Sequence, residues 1–368
     1  MRVVVIGGGI LGACTAYHLM RAGAEVILLD RAHEGRATSA GAGIVSPWTT
    51  RYEGPALYTM LLGGAEAYPA LVAALAEDGE TDLGYRRVGT LCAPEDPAIL
   101  DDLEPMVRAR AAASPAAGAV TRLTPAEAGA LFPALAGDRA ALHVEGGARL
   151  DGRRLSAALH RAIARRGGTL KAGTAALLVE GSRLRGVTLD GERIEANAVV
   201  LAAGAWAPAL LAPLGLRLAI APQRGQILHL RLDGQDTAAW PVLYPMTSHY
   251  LLTFEDGRVV VGATRETGSG FDYRVTAGGL REVLEAGLAI APGLAAATHV
   301  ETRVGFRPMS PDGRPLLGTV PGLAGLVIAN GLGPSGLTIS PFAGRIAAAL
   351  ALGETPELDL APYDPLRG

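Results

Sequence analysis

The chain has 368 residues, so at roughly 100–200 residues per domain we expect about two domains. Hydrophobic residues make up 49% of it and charged residues only 19%, a composition that excludes an intrinsically disordered protein. The formal charge of −3 gives no electrostatic signature for nucleic acid or anionic lipid, and we expect neither as a partner.

The first thirty residues predict a β-α-β unit. Residues 2–6 form an apolar run typical of a strand buried on both faces rather than a signal peptide, and a helical pattern follows over 10–22. Gly23 is a typical helix end, and a second apolar run, 25–29, stops at Asp30. Such a unit implies a right-handed crossover between parallel strands.

The remaining elements alternate between helices and strands. Residues 49–140 are helical and alanine-rich, and the pattern after them changes from helix to strand several times. The predicted elements are a helix at 154–166, short strands within 170–195, a buried strand at 198–203, antiparallel strands at 226–232, 249–254 and 258–261, a helix at 276–290 capped by Thr276, strands at 298–306 and 326–329, and a helix at about 341–352.

These elements predict an α/β fold with two domains. A Rossmann-like dinucleotide-binding domain would be assembled from the discontinuous segments 1–46, 141–215 and 305–368. The intervening segments, 47–140 and 216–304, would form an α+β substrate domain on an antiparallel sheet.

Two uncharged stretches, 196–216 and 315–344, could be mistaken for membrane spans. The second contains four prolines and seven glycines, so its backbone could not keep all its hydrogen bonds internal in lipid. We interpret both as protein interior and expect no integral membrane segment. The two cysteines, Cys14 and Cys92, cannot form a disulfide framework, which favours a cytoplasmic location.

The glycine turn after the first strand carries a dinucleotide fingerprint. Gly7 permits the tight turn, Gly9 lets a pyrophosphate approach the backbone, and Gly12 lets helix and strand pack closely. The start of the helix adds free N–H donors and a partial positive charge. Asp30 is placed to accept hydrogen bonds from ribose hydroxyls and would repel a 2′-phosphate, which disfavours a phosphorylated nicotinamide cofactor.

Three small-residue segments favour FAD over NAD. The loop 36–43 suits backbone contact with a large flat ligand, and the turn 202–206 follows a buried strand. The glycine-rich turn 331–338 precedes a helix whose N–H groups could hold an electron-rich flavin pyrimidine. Because reduction of a flavin puts negative charge there, this helix end would help to set the redox potential.

Together these segments resemble the FAD-dependent D-amino acid oxidase family, especially its glycine oxidase and D-amino acid dehydrogenase branch. The likeness runs through 4–30, 38–43, 198–206, 224–226, 257–264, 305–315 and the last glycine turn, whereas residues 50–140 match poorly. It implies FAD in an extended pose, covered by a substrate domain. The cofactor-binding residues that it implies are Gly7, Gly9, Ile10, Leu11, Gly12, Asp30, Arg31, Thr38, Ser39, Gly43, Ile44, Ala176, Ala203, Gly204, Trp206, Gly333, Ser335, Gly336, Leu337 and Thr338.

Two departures from the family pattern bear on this expectation. The glycine oxidase branch carries a second arginine in the last glycine turn, where this chain has Pro334. Some sarcosine oxidase relatives attach their flavin through a cysteine in the C-terminal part. This chain has no cysteine after Cys92, so we expect non-covalent FAD.

Arg307 and Tyr250 are the candidate catalytic residues. The guanidinium of Arg307 suits bidentate binding of a substrate carboxylate, although a structural pairing with Asp312 or Glu301 is the alternative. Tyr250 matches a family tyrosine that faces the substrate, although its strand could equally direct it into the core.

Four further residues near these positions are weaker candidates. We expect His249 to lie on the opposite face of its strand from Tyr250 and to be structural, and Arg224 also to be structural. Trp48 and Arg51 are loop residues that could line the pocket roof. The seven histidines show no metal-ligand spacing, and we expect no metal site.

The leading functional hypothesis is oxidation of glycine, sarcosine or a D-amino acid, by hydride transfer from Cα to flavin N5 and hydrolysis of the imine to a 2-oxo acid and ammonia. The alternatives are a hydroxy-acid or alcohol dehydrogenase of the same fold, a nicotinamide dehydrogenase, and a flavoprotein subunit without this activity. The hydroxy-acid alternative would need extra basic residues near the pocket, and the sequence does not reveal them. The electron acceptor, oxygen or a quinone, stays open. So does the oligomeric state, a homo-oligomer included, and so does peripheral membrane attachment for a dehydrogenase.

Overall fold

The computed structural model of the chain describes residues 1–51 and 54–367. Its strands are β1 (Arg2–Ile6), β2 (Glu25–Asp30), β3 (Ile44–Val45), β4 (Arg86–Arg87), β5 (Thr90–Cys92), β6 (Val120–Leu123), β7 (Ala141–Val144), β8 (Ala148–Arg149), β9 (Thr169–Ala172), β10 (Ala175–Glu180), β11 (Arg183–Leu189), β12 (Glu192–Glu195), β13 (Ala198–Leu201), β14 (Ala221–Arg231), β15 (Val242–Tyr244), β16 (Tyr250–Thr253), β17 (Arg258–Gly262), β18 (Glu266–Thr267), β19 (Thr298–Met309), β20 (Leu316–Val320) and β21 (Leu323–Asn330). Its helices are α1 (Ile10–Arg21), α2 (Ala37–Ala40), α3 (Pro55–Glu77), α4 (Ala98–Ala112), α5 (Pro125–Leu131), α6 (Gly152–Arg165), α7 (Ala207–Leu211), α8 (Ala277–Ile290) and α9 (Gly336–Leu352).

The first sheet has β1 near its centre, with parallel neighbours on both sides. β1 pairs in parallel with β2 and β13, β2 continues to β9, and β13 continues to β21. Antiparallel pairs, β10–β11, β11–β12 and β20–β21, extend the side beyond β13. The parallel strands bring their carboxyl ends to one edge, where α/β proteins bind their ligands.

Both faces of this sheet are covered, which explains why β1 is apolar throughout. Val3 and Val5 pack under α1, α6 and α9, whereas Val4 and Ile6 pack against the layer that includes α7, β11 and β20. A strand with two buried faces has no polar side, so it appears in the sequence as a continuous apolar run. The predicted β-α-β unit is confirmed to within a residue at its ends.

The second sheet is largely antiparallel. Its order is β18-β14-β17-β16-β15-β5-β7-β6, with the long strand β19 also paired to β14. One face packs on α5 and α8 through residues such as Leu228 and Val261. The opposite face carries Ile227, Leu252 and Val260 and packs against the loop that contains Ala42 and Ile44. Because successive residues of each strand face opposite sides of this sheet, the sequence shows a pattern with a period of two.

We propose two domains, with limits that keep the first and the second sheet whole. β7 lies within the predicted segment 141–215 but pairs with β5 and β6 in the second sheet. β19 crosses position 305 and ends at Met309, still paired with β14. The proposed limits therefore fall after Val144 and after Met309. The predicted ranges also include residues 52, 53 and 368, which lie outside the described residues.

The last helix starts earlier than predicted. We expected it at about 341, but α9 begins at Gly336 and contains Pro341 in its interior. Pro341 has no N–H, so it cannot donate to the carbonyl of Leu337 four residues earlier. The hydroxyl of the fully buried Tyr68 donates to that carbonyl instead. This contact between two helices therefore replaces the backbone hydrogen bond that Pro341 cannot make.

Two helices of the described residues, α3 and the span Gly333–Leu352, are long and apolar enough to cross a membrane by length and composition. In the most apolar 18-residue stretch of each helix, 39% of α3 and 67% of Gly333–Leu352 is buried inside the protein. The core helix of a soluble protein passes the same test, so these two helices do not by themselves identify a membrane segment. The stretch 315–344 forms β20, β21 and the start of α9 and is mostly interior, as the sequence predicts.

Candidate active site

A cavity of about 790 Å³ lies between the two sheets and receives residues from both. One end is formed by the carboxyl ends of β1, β2 and β13, and the other by β14, β16 and β19. The predicted residues that line it are Gly7, Gly9, Ile10, Leu11, Asp30, Arg31, Thr38, Gly43, Ile44, Ala176, Ala203, Gly204, Trp206, Tyr250, Arg307, Gly333, Ser335, Gly336, Leu337 and Thr338.

The glycine turn between β1 and α1 is tight for identifiable reasons. Gly7 has φ +109°, and a Cβ there would lie 2.4 Å from the carbonyl oxygen of Ala202, the residue directly after β13. A Cβ on Gly12 would lie 1.8 Å from the carbonyl oxygen of Gly7. Gly12 does not line the cavity, and its role is the close packing of helix on strand. The N–H groups of the first turn of α1 have no acceptor within the helix, so they suit a phosphate.

Asp30 lines the cavity, but its carboxylate also organises the turn. Its Oδ2 accepts from the N–H of Gly8 at 2.6 Å, and its Oδ1 accepts from the N–H of Ala32 at 2.5 Å. Each carboxylate oxygen has a second lone pair, so a ribose hydroxyl can still donate to it. His160 supports the same turn from α6, with Nε2 2.9 Å from the carbonyl oxygen of Gly8. No pattern in the sequence pointed to His160.

The loop after β2 closes over the start of α1. The hydroxyl of Thr38 accepts from the N–H of Ile10 at 2.9 Å, so Thr38 reaches the pyrophosphate end of the cavity. Gly43 faces Leu150, whose N–H donates to the carbonyl of Gly43 at 2.8 Å. Ser39 does not line the cavity, and its carbonyl oxygen accepts from Arg153 Nε on α6.

Trp206 forms one wall of the cavity as part of an aromatic cluster. Its ring stacks on His33 at a centroid distance of 4.5 Å and on Phe271 at 5.0 Å. Phe306 meets both Trp206 and Phe271 edge-on. The cluster joins the loop after β2 to β19, so it fixes one sheet against the other.

The start of α9 is directed into the cavity. Residues Gly333 to Thr338 line the cavity. Ser335, the N-cap residue of α9, does not accept a hydrogen bond from the first turn of the helix with its side chain. Thr338 ties this end to the loop after β2 by donating from Oγ1 to the carbonyl of Ile44 at 2.8 Å. Uncapped N–H groups and a helix dipole here suit an electron-rich ring. Pro334 also lines the cavity, at the position where the glycine oxidase branch has arginine.

Arg307 lies on β19 at the other end of the cavity. Its Nη1 donates to the carbonyl of Thr264 at 3.0 Å and to Gln223 Oε1 at 3.3 Å. The guanidinium lies across Gly225 of β14, where a Cβ would be 2.6 Å from Nη2. The alternative partners are engaged elsewhere: Asp312 pairs with Arg314 and Arg367, and Glu301 with Arg303.

Tyr250 approaches the cavity in the same manner. It is paired with Gly262 across β16 and β17, and a Cβ on Gly262 would lie 2.6 Å from the tyrosine hydroxyl oxygen. Glycines in two neighbouring strands therefore provide the space for Arg307 and Tyr250. An isolated glycine within a strand often marks a place where another group approaches the backbone closely. Gly225 and Gly262 could therefore have indicated the site from the sequence.

Three weaker expectations are corrected by the structure. Trp48 is 2% exposed and belongs to the core, so it does not form a pocket roof. The sequence revealed no extra basic residues near the pocket, but Arg265 lines the same cavity as Arg307, and so does Arg51, which was a candidate for the pocket roof. His249 also lines that cavity, with Nε2 3.5 Å from Glu282 Oε1. Burial lowers the pKa of His249, and the nearby Glu282 opposes that shift.

Arg224 is structural, as expected. It is 6% exposed and pairs with Glu266 at 2.5 Å and with Asp272 at 2.9 Å. Burial would raise the pKa of Glu266, but hydrogen bonds from Arg224, Gln226 and Thr264 outweigh it and the pKa is lowered. This network fixes the segment between β17 and β18 beside Arg307. Within the described residues, no group of histidine, cysteine, aspartate and glutamate could hold a metal ion.

A dinucleotide site that adjoins a cationic pocket for a small molecule is the arrangement of a cofactor-dependent oxidoreductase. Residues 2–350 match the family model described as DAO, FAD dependent oxidoreductase. The chain therefore belongs to this family, and it is an FAD-dependent oxidoreductase of the D-amino acid oxidase type.

Individual relatives agree with the family. The chain is 47% identical to "Uncharacterized oxidoreductase YurR" of Bacillus subtilis, over 98% of each chain. It is 34% identical to a glycine oxidase of Pseudomonas aeruginosa, over 99% of this chain and 98% of the relative. The crystal structure of iminodiacetate oxidase from Chelativorans sp. BNC1 superposes with a TM-score of 0.97 at 51% identity, over 100% of both chains.

The residues present fit FAD. The first turn of α1, Thr38 and Asp30 would hold the ADP half, and the small-residue loop with Gly43 and the start of α9 would hold the flavin end. Neither Cys14 nor Cys92 lines the cavity, and both are buried, in agreement with non-covalent attachment.

Proposed function

We propose that the protein oxidises a small amino acid at the carbon between its nitrogen and its carboxylate. The observation that carries this proposal is the position of Arg307, whose guanidinium lies in the same cavity as the glycine loops that would hold FAD. Glycine and iminodiacetate, the substrates in the names of the relatives, share an N–CH2–COO⁻ group whose carbon carries no side chain. We infer that the substrate contains this group.

The chain's own residues would bind and orient the substrate. Arg307 would hold the carboxylate with parallel N–H donors, since its plane is fixed by Thr264 and Gln223. Tyr250 would adjoin it, held in place by its packing on Gly262. A substrate whose amine arrives neutral needs no protein base.

The reaction balances with water as the only other reactant besides the electron acceptor. When bound between the start of α1, the loop with Thr38 and Gly43, and the start of α9, FAD would supply the two-electron acceptor for this oxidation, with oxygen or a quinone as the final acceptor. Loss of the hydride and of the N–H proton leaves an imine. Water adds to the imine carbon and the C–N bond breaks, which gives a 2-oxo acid and ammonia, or glyoxylate and a primary amine when the nitrogen is substituted.

The test is anaerobic reduction of the purified flavoprotein. Glycine, sarcosine, iminodiacetate, D-alanine and the hydroxy acids glycolate and D-lactate are added separately while the visible flavin absorbance is followed. We expect bleaching by at least one amine that contains N–CH2–COO⁻ and none by the hydroxy acids. Bleaching by a hydroxy acid alone would establish the alternative dehydrogenase activity, and no bleaching by any amine would overturn the proposal.

A further inference from the structure

A short segment that follows β3, residues 46–51, forms one wall of the cavity, and we call it the wall segment. It contains a single 3-10 turn, Pro47–Thr49, and the side chain of Trp48 anchors it in the core. The residues of the wall segment that line the cavity are Ser46, Pro47, Thr49, Thr50 and Arg51. The position of this segment therefore sets the shape of the cavity beside it.

The wall segment adjoins the end of the cavity that the second sheet forms. The side chain of Thr49 is in hydrogen-bonding contact with the thiol of Cys92 on β5. β5 pairs with β15, where Tyr244 lies opposite Cys92 and lines the cavity. The same sheet carries Tyr250 and Arg307, which we propose to bind the substrate. The wall segment therefore lies at the substrate end of the cavity.

The guanidinium of Arg110, on α4, holds the wall segment from outside the cavity. Its Nη1 donates to the carbonyl of Thr50 at 2.6 Å and to that of Trp48 at 3.2 Å. Carbonyls at the end of a helical turn have no donor within the turn, and a charged donor makes the stronger hydrogen bond to them. Arg110 does not line the cavity, so any effect that it has on a ligand passes through the wall segment.

Tyr58, on α3, orients the guanidinium of Arg110. The Cζ atom of Arg110 lies 4.3 Å from the centroid of the Tyr58 ring, a distance at which a cation is attracted to the face of an aromatic ring. The wall segment is thus supported by two helices of the substrate domain. Both helices belong to residues 50–140, where the resemblance to the family is poor, so the resemblance assigns no role to this support.

We propose that Arg110 is a positioning residue that holds the wall segment where the cavity accepts its substrate. Without these hydrogen bonds the segment would occupy other positions as well. The apparent dissociation constant of the substrate would then rise, because binding would use only the fraction of molecules in the competent position. This inference rests on the proposed function and extends it by giving α4 a role in substrate binding.

The test compares Arg110→Met with Arg108→Met in the FAD-saturated protein. Arg108 is a matched control, because it lies on the same helix and donates to the carbonyl of Val120 at 2.8 Å, away from the cavity. We expect Arg110→Met to raise KM for an amine that reduces the flavin by about 10-fold, since hydrogen bonds from a charged group are lost. The rate of flavin reduction at saturating substrate should stay close to that of the wild type, and Arg108→Met should change neither quantity.

Two further variants distinguish positioning from a contribution to stability. Arg110→Lys keeps a charged donor but not the planar guanidinium, so it should recover part of the affinity. Tyr58→Leu keeps the guanidinium and removes the ring that orients it, so it should raise KM less than Arg110→Met does. These two variants also provide the comparison if Arg110→Met does not fold. A lower melting temperature with an unchanged KM in the Arg110 and Tyr58 variants would show a purely structural role and overturn the inference.

Binding of an unreactive ligand gives a readout besides turnover. Methoxyacetate keeps a carboxylate and has an ether oxygen in place of the amine, and its binding is followed through the change in the visible flavin spectrum. We expect its dissociation constant to rise in Arg110→Met by the same factor as KM, and to be unchanged in Arg108→Met. Each measurement is referred to the fraction of protein that contains FAD.

The outcomes separate this inference from the proposed function. If Arg110→Met binds methoxyacetate and the amine substrate as tightly as the wild type, the positioning role is refuted while amino acid oxidation stands. If Arg110→Met slows flavin reduction at saturation and leaves KM unchanged, the wall segment acts on the chemical step and the inference is wrong. If no amine reduces the flavin of the wild type, the proposed function fails and this inference fails with it.

Discussion

Arg307 is the residue on which the amino acid assignment most depends. If it binds a carboxylate through parallel hydrogen bonds, a point charge cannot fully replace it. We therefore expect Arg307→Lys to retain FAD and lose catalytic efficiency, and Arg307→Leu to lose more. The cost should be about 2–5 kcal/mol of transition-state stabilisation, part of which is the penalty for an unpaired substrate carboxylate.

The measurement is kcat/KM for an amino acid and for an uncharged amine of similar shape, with FAD content determined for each variant. The loss should fall on the carboxylate-bearing compound. Because Arg307 also donates to Thr264 and Gln223, a structural role predicts a lower melting temperature as well. Equal loss for both compounds, or loss of FAD, would show that Arg307 supports the fold rather than the substrate.

Asp30 should contribute to FAD affinity and not to substrate choice. Asp30→Ala removes an acceptor for ribose hydroxyls and also the acceptor of the Gly8 and Ala32 N–H groups. Hydrogen bonds to a charged group are worth about 1.5–3 kcal/mol, so we expect FAD to bind one to two decades more weakly. Glu34→Ala removes an exposed carboxylate of the same loop and is the control. Equal FAD dissociation constants for the two variants would mean that Asp30 makes no ribose contact.

At the scale of elements, Tyr68 on α3 compensates for Pro341 on α9. Tyr68→Phe leaves the buried carbonyl of Leu337 without its donor, which should lower the free energy of unfolding by about 1–3 kcal/mol. Pro341→Ala restores an N–H that can donate to Leu337, so it should recover stability in the Tyr68→Phe background more than in the wild type. A double-mutant cycle by urea denaturation of the FAD-saturated protein measures this coupling, and strictly additive effects would disprove it.

The elements that the sequence predicted best are those whose pattern is local. The β1-α1-β2 unit has a continuous apolar run, a glycine turn and a terminal acid, and the structure follows it closely. The predicted start of α9 was wrong because the hydrogen-bond donor for the carbonyl of Leu337 is a side chain of α3, which is far away in the sequence. Residues whose neighbours in space are distant in the chain, such as His160 and Arg265, could not be assigned to the site by pattern alone.

Trp48 is the opposite case, because the sequence made it a candidate for the site and the structure places it in the core. Its segment has the composition of an exposed loop, but Arg110 on α4 donates to the carbonyls of Trp48 and Thr50 and holds the segment against the core. The resemblance to a known family supplied the candidate residues Arg307 and Tyr250. The reason why they fit, which is the pair of strand glycines beside them, becomes evident only when the sheet register is known.

At the scale of the whole molecule, buried histidines should make the protein sensitive to mild acid. Burial lowers the pKa of His229 on β14 to about 3, with the nearby Arg303 adding to the shift, and burial lowers that of His18 on α1 to about 4. Because the ordinary pKa of histidine is about 6.5, the unfolded chain binds protons that the folded protein excludes as the pH falls below that value. The stabilisation is complete above about pH 6.5 and is lost as the pH falls towards the folded-state values.

We therefore expect the melting temperature of the FAD-saturated protein to fall between pH 7 and pH 5, a window above the range in which carboxylates titrate. The loss per histidine can reach about 2 kcal/mol at pH 5, since each pH unit contributes at most about 1.4 kcal/mol. Among residues 1–51 and 54–367, neither ring nitrogen of His229 has a hydrogen-bond partner, so His229→Leu should flatten the pH dependence without a large loss at pH 7. His299→Leu, at an exposed position on β19, is the control. An unchanged slope for His229→Leu would show that His229 is protonated in the folded protein, with Glu301 on the neighbouring strand as its partner.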